Sequence, residues 1–319
     1  MFWLALTLCA IISWGSADIF YKKSSGYNDS FYHYKTFIWV GMVMAPAGAV
    51  IALCSDTMAD SIRTFLDNLY FWPLCIFYAL ALLFGLLGKK HLDVSVVSPL
   101  ENINGAITAV MLYLYFMFTG HSEVTDSIGL VDIIATLFIF SGIIFLGIQE
   151  HTLSKQEADL AEEEKRHRLG ALAIIFPIVG TLVDSISMVV IGITVSEETE
   201  VAIPDLDLFF FVSVMFAGIA VILWLYLLIV KNYRYNPFRK TELVRCGAAI
   251  GETFGTMTYL LAMARNPILT SPITSSYCLV TIVLARIFLK ERLTKRQYLS
   301  LAFLVTGIAM LGISEISGI

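Results

Sequence analysis

Runs of apolar residues, each close to the length of a membrane-crossing helix, alternate along this chain with short charged or turn-forming clusters. A helix crosses the hydrocarbon core of a bilayer with about 20 residues. Runs of that size fall at 2–21, 34–53, 70–88, 94–118 and 128–148. A second set falls at 168–193, 207–230, 242–264, 268–289 and 297–315. The pattern predicts an all-α membrane protein with ten transmembrane helices. Between the two sets, 149–167 is rich in Glu, Lys and Arg and is expected to be a solvated connector. The shortest separation inside a set is Arg265-Asn266-Pro267, between 242–264 and 268–289.

Basic residues fall on alternate connections. The odd ones and their flanks hold Lys22, Lys23 and Lys35; Lys89 and Lys90; Lys155, Lys165, Arg166 and Arg168; Lys231, Arg234, Arg239, Lys240 and Arg245; and Arg286, Lys290, Arg292, Lys295 and Arg296. The even connections keep only Arg63 and Arg265. A wrong number of spans would scramble this alternation. Basic loops stay on the cytoplasmic side, so the odd connections are expected there and both termini outside, in the plasma membrane.

The two sets of helices also resemble each other. The fifth helix ends in SGIIFLGI (141–148) and the tenth in TGIAMLGI (306–313), with both glycines in register. Ser98-Pro99 heads the fourth helix and Ser271-Pro272 the ninth. Ala5, Leu6 and Asp18 match Ala171, Leu172 and Asp184 at one constant spacing. Matches in this order predict a duplication, with a first unit at 1–148 and a second at 168–319. A unit with an odd number of spans must insert its second copy upside down. The charges agree: Lys22 and Lys23 follow the first helix, whereas Glu197, Glu198 and Glu200 follow the sixth. Inverted repeats are a common plan for secondary transporters.

Composition supports the membrane assignment: 58% of residues are hydrophobic and only 15% charged, with a mean hydropathy of +0.78. A soluble chain of this length needs more polar surface. A net charge of −5 without a basic stripe excludes nucleic acid as a partner. Cys9, Cys54, Cys75, Cys246 and Cys278 show no metal-ligand or redox spacing and read as small apolar filler. Met1 leads straight into Phe2-Trp3-Leu4 without a basic n-region, so the first segment is expected to remain as a span. No phosphate-binding glycine loop, His-Glu-x-x-His or nucleophile elbow occurs. No enzyme activity, cofactor or metal is expected.

Trp14-Gly15-Ser16, Ser271-Pro272, Lys290-Glu291-Arg292-Leu293-Thr294 and the closing Gly307 and Gly312 resemble EamA-type transporters of the drug/metabolite transporter superfamily. The resemblance covers essentially the whole chain and is most specific in its last fifty residues. It departs from the family pattern at Gly120-His121-Ser122-Glu123, where the second half has the Lys-Glu-Arg-Leu-Thr turn, and at Ser300, where a glycine is usual. It implies secondary transport of a small metabolite without ATP, and leaves the substrate unnamed.

Charge at membrane depth costs about 2.5–3.5 kcal/mol per residue on insertion scales, which makes an intramembrane carboxylate a functional candidate. Asp18, Glu101, Asp184 and Glu252 qualify. Asp18 and Asp184 occupy matching places. They are either a pair of protonatable or gating sites, or carboxylates hydrated near an interface, Asp18 having Lys22 one turn on. Glu101-Asn102-Ile103-Asn104 and Thr274-Ser275-Ser276-Tyr277 are polar stretches inside spans; Glu101 and Asn104 share a helix face. They suit a cavity wall or interhelical hydrogen bonds. Glu252 lies between Gly251 and Gly255 with Tyr259 below, and suits coupling or substrate binding. Trp14, Tyr259 and Tyr277 are candidate aromatic lining. Arg265 would hold an anionic group, pair with Glu252 or cap a helix. His33, His91, His121, His151 and His167, and the acidic run Glu162-Glu163-Glu164, are expected to be solvated.

The expected function is a secondary active transporter for a small polar metabolite such as an amino acid, working by alternating access as a proton-coupled or gradient-driven exporter. The partners would be the substrate, the bilayer and protons. Efflux of lipophilic cations or drugs is the rival within the class; a membrane receptor or assembly subunit that moves nothing is the rival outside it.

Overall fold

The computed structural model describes residues 2–25, 29–68, 71–92, 94–120, 128–158, 175–196, 203–288 and 295–317. Among them all regular structure is helical, as a bilayer demands, since a helix satisfies its own backbone groups. The first half contains α1 (Phe2–Ser24), α2 (Tyr32–Cys54), α3 (Met58–Asp67), α4 (Phe71–His91), α5 (Val94–Glu101), α6 (Asn104–Thr119) and α7 (Leu130–Ala158). The second contains α8 (Ile175–Val195), α9 (Asp205–Leu225), α10 (Leu243–Met263), α11 (Pro267–Thr274), α12 (Tyr277–Phe288) and α13 (Lys295–Ser317).

Among the described residues, five segments are long and apolar enough to cross a membrane: α1, α2, α8, α9 with its extension to Val230, and α11 with α12. The extension is one π-helical turn, Tyr226–Val230. α4 and α10 have 21 residues each, but α10 carries Arg245 and Glu252 along its length. Residues 159–167 of the charged connector, with Glu162, Glu163, Glu164, Lys165, Arg166 and His167, lie outside the described residues, as do Arg168, Ala171 and Leu172. So do His121 to Glu123, Glu197 to Glu200 and the turn Lys290 to Thr294. The connector's first part, to Ala158, prolongs α7.

The structure departs from the hydropathy pattern in three places. First, α3 occupies the second connection. Its Met58, Ser61 and Phe65 are buried at positions that share one face, and the Phe65 ring stacks on Phe211 of α9 at 4.2 Å. Second, α4 continues a turn beyond its apolar run and takes Lys89 into the helix. Third, the fourth and ninth segments are each two helices, broken at 102–103 and 275–276.

The two breaks share their bonding. The N–H of Ile103 donates to Leu100 O at 3.4 Å and that of Ala106 to Ile103 O at 3.1 Å. The N–H of Ser276 donates to Ile273 O at 3.0 Å and that of Leu279 to Ser276 O at 2.9 Å. These are bonds to the third preceding residue, which tighten the helix locally. Ser98-Pro99 and Ser271-Pro272 stand at one distance ahead of the breaks. Proline removes a backbone donor and disfavours a regular preceding turn. Polar side chains then take over: Asn102 Nδ2 donates to Ser98 O and, at 3.3 Å, to Ser98 Oγ.

Helix packing follows an exchange pattern. α1 packs on α10 and α8 on α4; α1 on α12 and α8 on α6; α2 packs on α9 and α7 on α13. The repeated glycines explain the last contact. A Cβ on Gly142 would meet Leu304 Cγ at 2.8 Å and Ser300 O at 2.9 Å; one on Gly307 would meet Ala135 O and Ile139 Cγ1, both at 2.7 Å. Each glycine admits the other helix's backbone. Ser300 is buried at this contact, so the departure from glycine there is accommodated. The main core centres on α2, α9 and α10, with Phe37 stacked on Phe216 at 5.1 Å. A second, smaller cluster joins α7, α12 and α13 through Ile139, Ile282 and Leu304.

Candidate functional site

Four unbroken helices place polar residues on the face they turn to the centre. α1 presents Trp14, Asp18 and Tyr21; α10 presents Glu252, Thr256 and Tyr259; α8 presents Thr181, Asp184 and Met188; and α4 presents Tyr78, Gly85 and Lys89. Spacings of three, four and seven keep such residues on one helical face. The breaks of α5/α6 and α11/α12 add Glu101, Asn102, Asn104, Thr274, Ser275 and Tyr277. With Thr256 behind the wall, these residues surround a cavity of about 100 Å³.

Lys89 organises one wall. Its Nζ lies 3.0 Å from Asp18 Oδ1 and 2.7 Å from Glu101 Oε2, and 5.6 Å from the centre of the Tyr21 ring. Thr281 of α12 donates to Asp18 Oδ2 at 3.1 Å. A buried charge is tolerated only when paired and hydrogen-bonded, and here one cation serves two carboxylates. Asp18 has both oxygens engaged. Glu101 Oε1 and Asn102 Oδ1 are buried without a hydrogen-bond partner among the described residues.

Glu252 is held by phenols. Tyr21 donates to its Oε2 at 3.0 Å and Tyr78 to its Oε1 at 2.9 Å. Tyr78 also meets Thr256 Oγ1 at 2.7 Å, and Tyr32 donates to Tyr21 O at 3.0 Å. Both carboxylate oxygens are therefore spoken for by the protein. Gly255 makes the close approach to α1 possible, because a Cβ there would meet the Trp14 ring at 2.6 Å.

Asp184 differs. Asn104 Nδ2 donates to its Oδ2, while its Oδ1 is buried with no partner among the described residues. Ser275 of the second broken helix donates to Asn104 Oδ1 at 3.4 Å, so the two breaks meet at this amide. Above lies an aromatic group: Trp14 packs against Tyr259 at 5.2 Å and Tyr277 at 6.1 Å between ring centres. Tyr259 shares a 2.8 Å hydrogen bond with Ser271 Oγ.

All nine side chains singled out from the sequence line this one cavity: Trp14, Asp18, Glu101, Asn102, Asn104, Asp184, Glu252, Tyr259 and Tyr277. Sequence reasoning missed Lys89, Tyr21 and Tyr78. The available signal was the set of four carboxylates in apolar segments, which calls for a buried cation. Lys89 had been counted as a solvated loop residue, yet its side chain is 5% exposed. Asp18 pairs with it rather than with Lys22, whose Nζ donates to Leu92 O at 3.1 Å. Arg265 keeps away from Glu252: it pairs with Asp205 at 3.2 Å and donates to Leu261 O, which makes it a cap on α10. His33, expected in solvent, is half-buried and packs on Tyr34 at 3.9 Å.

The two ends of α2 are tied to the second half by different chemistry. At its start, Asp29 accepts from Lys35 at 3.0 Å and from Arg245 at 2.8 Å, and Arg245 also pairs with Glu242. Tyr235 donates to Glu242 at 3.0 Å; burial, then the neighbouring Glu242, raise this phenol's pKa above its usual value. At the other end Asp207 of α9 accepts from Ser55 at 2.6 Å, Thr57 at 2.7 Å and Ser61 at 2.6 Å.

A solved crystal structure shares this fold: it is 12% identical, has a TM-score of 0.63, and the match covers 97% of this chain and 96% of the other. At that identity the likeness speaks for the fold alone. A comparison with curated proteins gives no match. The model of the EamA-like transporter family matches residues 171–313. With the apolar helices, this match makes the protein an integral membrane protein of transporter type. Residues 171–313 are thus similar to an EamA domain, which is consistent with the drug/metabolite transporter superfamily.

Proposed function

We propose that the protein is a secondary active transporter that moves a small polar metabolite by alternating access through the central cavity. The observation that carries this reading is the charge balance: Asp18, Glu101, Asp184 and Glu252 line the cavity with Lys89. Burying unpaired charge is costly. A cavity with four carboxylates and one lysine therefore asks for protons, a cationic substrate group, or both in turn. That requirement is the chemical basis of coupling. The likeness of residues 171–313 to the EamA-like family supports transport and leaves the substrate and direction open.

The architecture behind this reading is ten spans in two inverted five-helix repeats, 1–148 and 168–319, joined by the charged connector at 149–167. The matched breaks and the exchange pattern of helix packing support it. Odd-numbered connections are cytoplasmic and both termini exterior, in the plasma membrane. Lys35, Lys89 and Arg245 are buried counter-ions, so the charge bias rests on the remaining loop cations. Closure on one side runs through Asp29, Lys35 and Arg245, and on the other through Asp207 and its three hydroxyls. Alternating access would open one tie while the other holds.

The test is a metabolite-library thermal-shift screen on purified protein, followed by proteoliposome flux of each hit under an imposed pH gradient. Accumulation against the substrate gradient, driven by the pH gradient, is expected. Binding without flux for every hit would favour a receptor or assembly subunit. Reporter fusions at residues 160 and 319 should report cytoplasm and exterior; the reverse would overturn the sidedness. The cavity's size speaks against bulky lipophilic cations, since drug-sized sites run to about 300–1,000 Å³.

A further inference from the structure

We infer that the substrate presents a primary ammonium group to the cavity, and that the cavity takes a short aliphatic amine in preference to a zwitterionic amino acid. This deepens the transport reading and rests on it for the direction of movement, but not for binding.

Hydrogen-bonding capacity at the wall decides the matter. Buried atoms of the lining without a partner among the described residues are Asp184 Oδ1, Glu101 Oε1, Asn102 Oδ1 and Trp14 Nε1. Three are acceptors and one is a donor. Asn102 is fully buried, at 0% exposure, and its Oδ1 faces no donor. An unmet acceptor in such a place signals a missing donor. Most of the donors a substrate carboxylate would want are already committed. Lys89 spans Asp18 and Glu101; the phenols of Tyr21 and Tyr78 reach Glu252. Thr181 donates to backbone, and Ser275 to backbone and Asn104.

A primary ammonium has three donors, no acceptor and a compact positive charge. It supplies what this wall lacks in both hydrogen bonds and charge. Asp184 is the natural counter-ion, because among the described residues no lysine or arginine pairs with it as Lys89 pairs with Asp18. The Trp14 and Tyr259 rings add a π-face that attracts a cation. Size limits the rest of the molecule: the cavity is about 100 Å³, small beside drug-sized sites of about 300–1,000 Å³. Trp14 Nε1, a buried donor without a partner among the described residues, suits a single hydroxyl on the substrate.

The experiment compares small probes on purified full-length protein in detergent by calorimetry at neutral pH. The probes are ethylamine, tetramethylammonium, glycine and acetate. Ethylamine should bind, with tetramethylammonium and glycine at least ten-fold weaker and acetate weaker still. Tetramethylammonium keeps the charge but has no N–H donor, so equal binding would overturn the hydrogen-bonding argument. Glycine or acetate binding as well as ethylamine, or no binding of ethylamine at all, would overturn the proposal. Asp184→Asn should weaken ethylamine at least ten-fold, and unchanged affinity would count against it. Should that variant not fold, the ranking of probes on the unaltered protein still decides. Proteoliposome flux separates this proposal from transport itself. Glycine flux without amine binding removes the amine and leaves the transporter; amine binding without flux of any compound does the reverse.

Discussion

Asp18 and Asp184 hold matching places on α1 and α8, yet their surroundings have made different groups of them. Asp18 has Lys89 at 3.0 Å on one oxygen and Thr281 at 3.1 Å on the other. Asp184 has the Asn104 amide on one oxygen and nothing among the described residues on the other. The helix that sets the difference is the third of each half. α4 brings a lysine to the cavity, whereas α10 brings Glu252 and Tyr259. Matching sequence positions thus carry one carboxylate held in an ion pair and one with an oxygen unpartnered among the described residues. Like places in the sequence have unlike surroundings, set by what the neighbouring helix supplies.

Removing the shared cation breaks the comparison most severely. Lys89→Met would leave Asp18 and Glu101 buried without a counter-charge, at a cost of about 3–5 kcal/mol typical of a broken buried pair. Chemical unfolding in detergent measures it. Asp184→Asn strands no cation and should leave that stability nearly unchanged while lowering flux at least ten-fold. Equal stability losses in the two variants would mean that the asymmetry is not real.

Glu252→Gln tests a milder point. One phenol can still donate to the amide oxygen while the other turns to accept from the amide N–H, so the fold should survive with a loss of about 1–3 kcal/mol. The pH dependence of flux should flatten if Glu252 exchanges protons during the cycle. Unaltered pH dependence would move coupling to Asp184 or Glu101, each with one oxygen unpartnered among the described residues. Ser61→Ala, one of three donors to Asp207, should cost about 1 kcal/mol and shift the balance toward the state open at that end. Accessibility labelling of a cysteine placed near Thr57 would report it. Thr281→Val is the smallest change: Asp18 keeps Lys89, and unfolding should move by about 1–2 kcal/mol or less.

Hydropathy made the fold class legible, because helices in lipid must be apolar over a bilayer's thickness. The paired Ser-Pro motifs and the glycines of SGIIFLGI and TGIAMLGI pointed to related halves. The glycines proved to be where α7 and α13 approach most closely. The polar stretch at 101–104 and its counterpart at 274–277 pointed to the cavity, since lipid tolerates no such cluster. Missing from that reading were the helix breaks: hydropathy averages over a window and cannot see two residues change their hydrogen bonds. Lys89 was missing for a related reason. It lies just past the apolar run of α4, where a one-dimensional pattern places it in water.

The sequence by itself determined which residues lie in membrane-length helices, and that several carboxylates are among them. Composition and periodicity are local properties, and they carry that information directly. Only the tertiary structure decided which carboxylate meets Lys89, which meets two phenols and which keeps a free oxygen. Those outcomes depend on distances of about 3 Å between helices far apart in the chain. Whether an acid in the membrane is a structural tie or a binding group is settled at that scale.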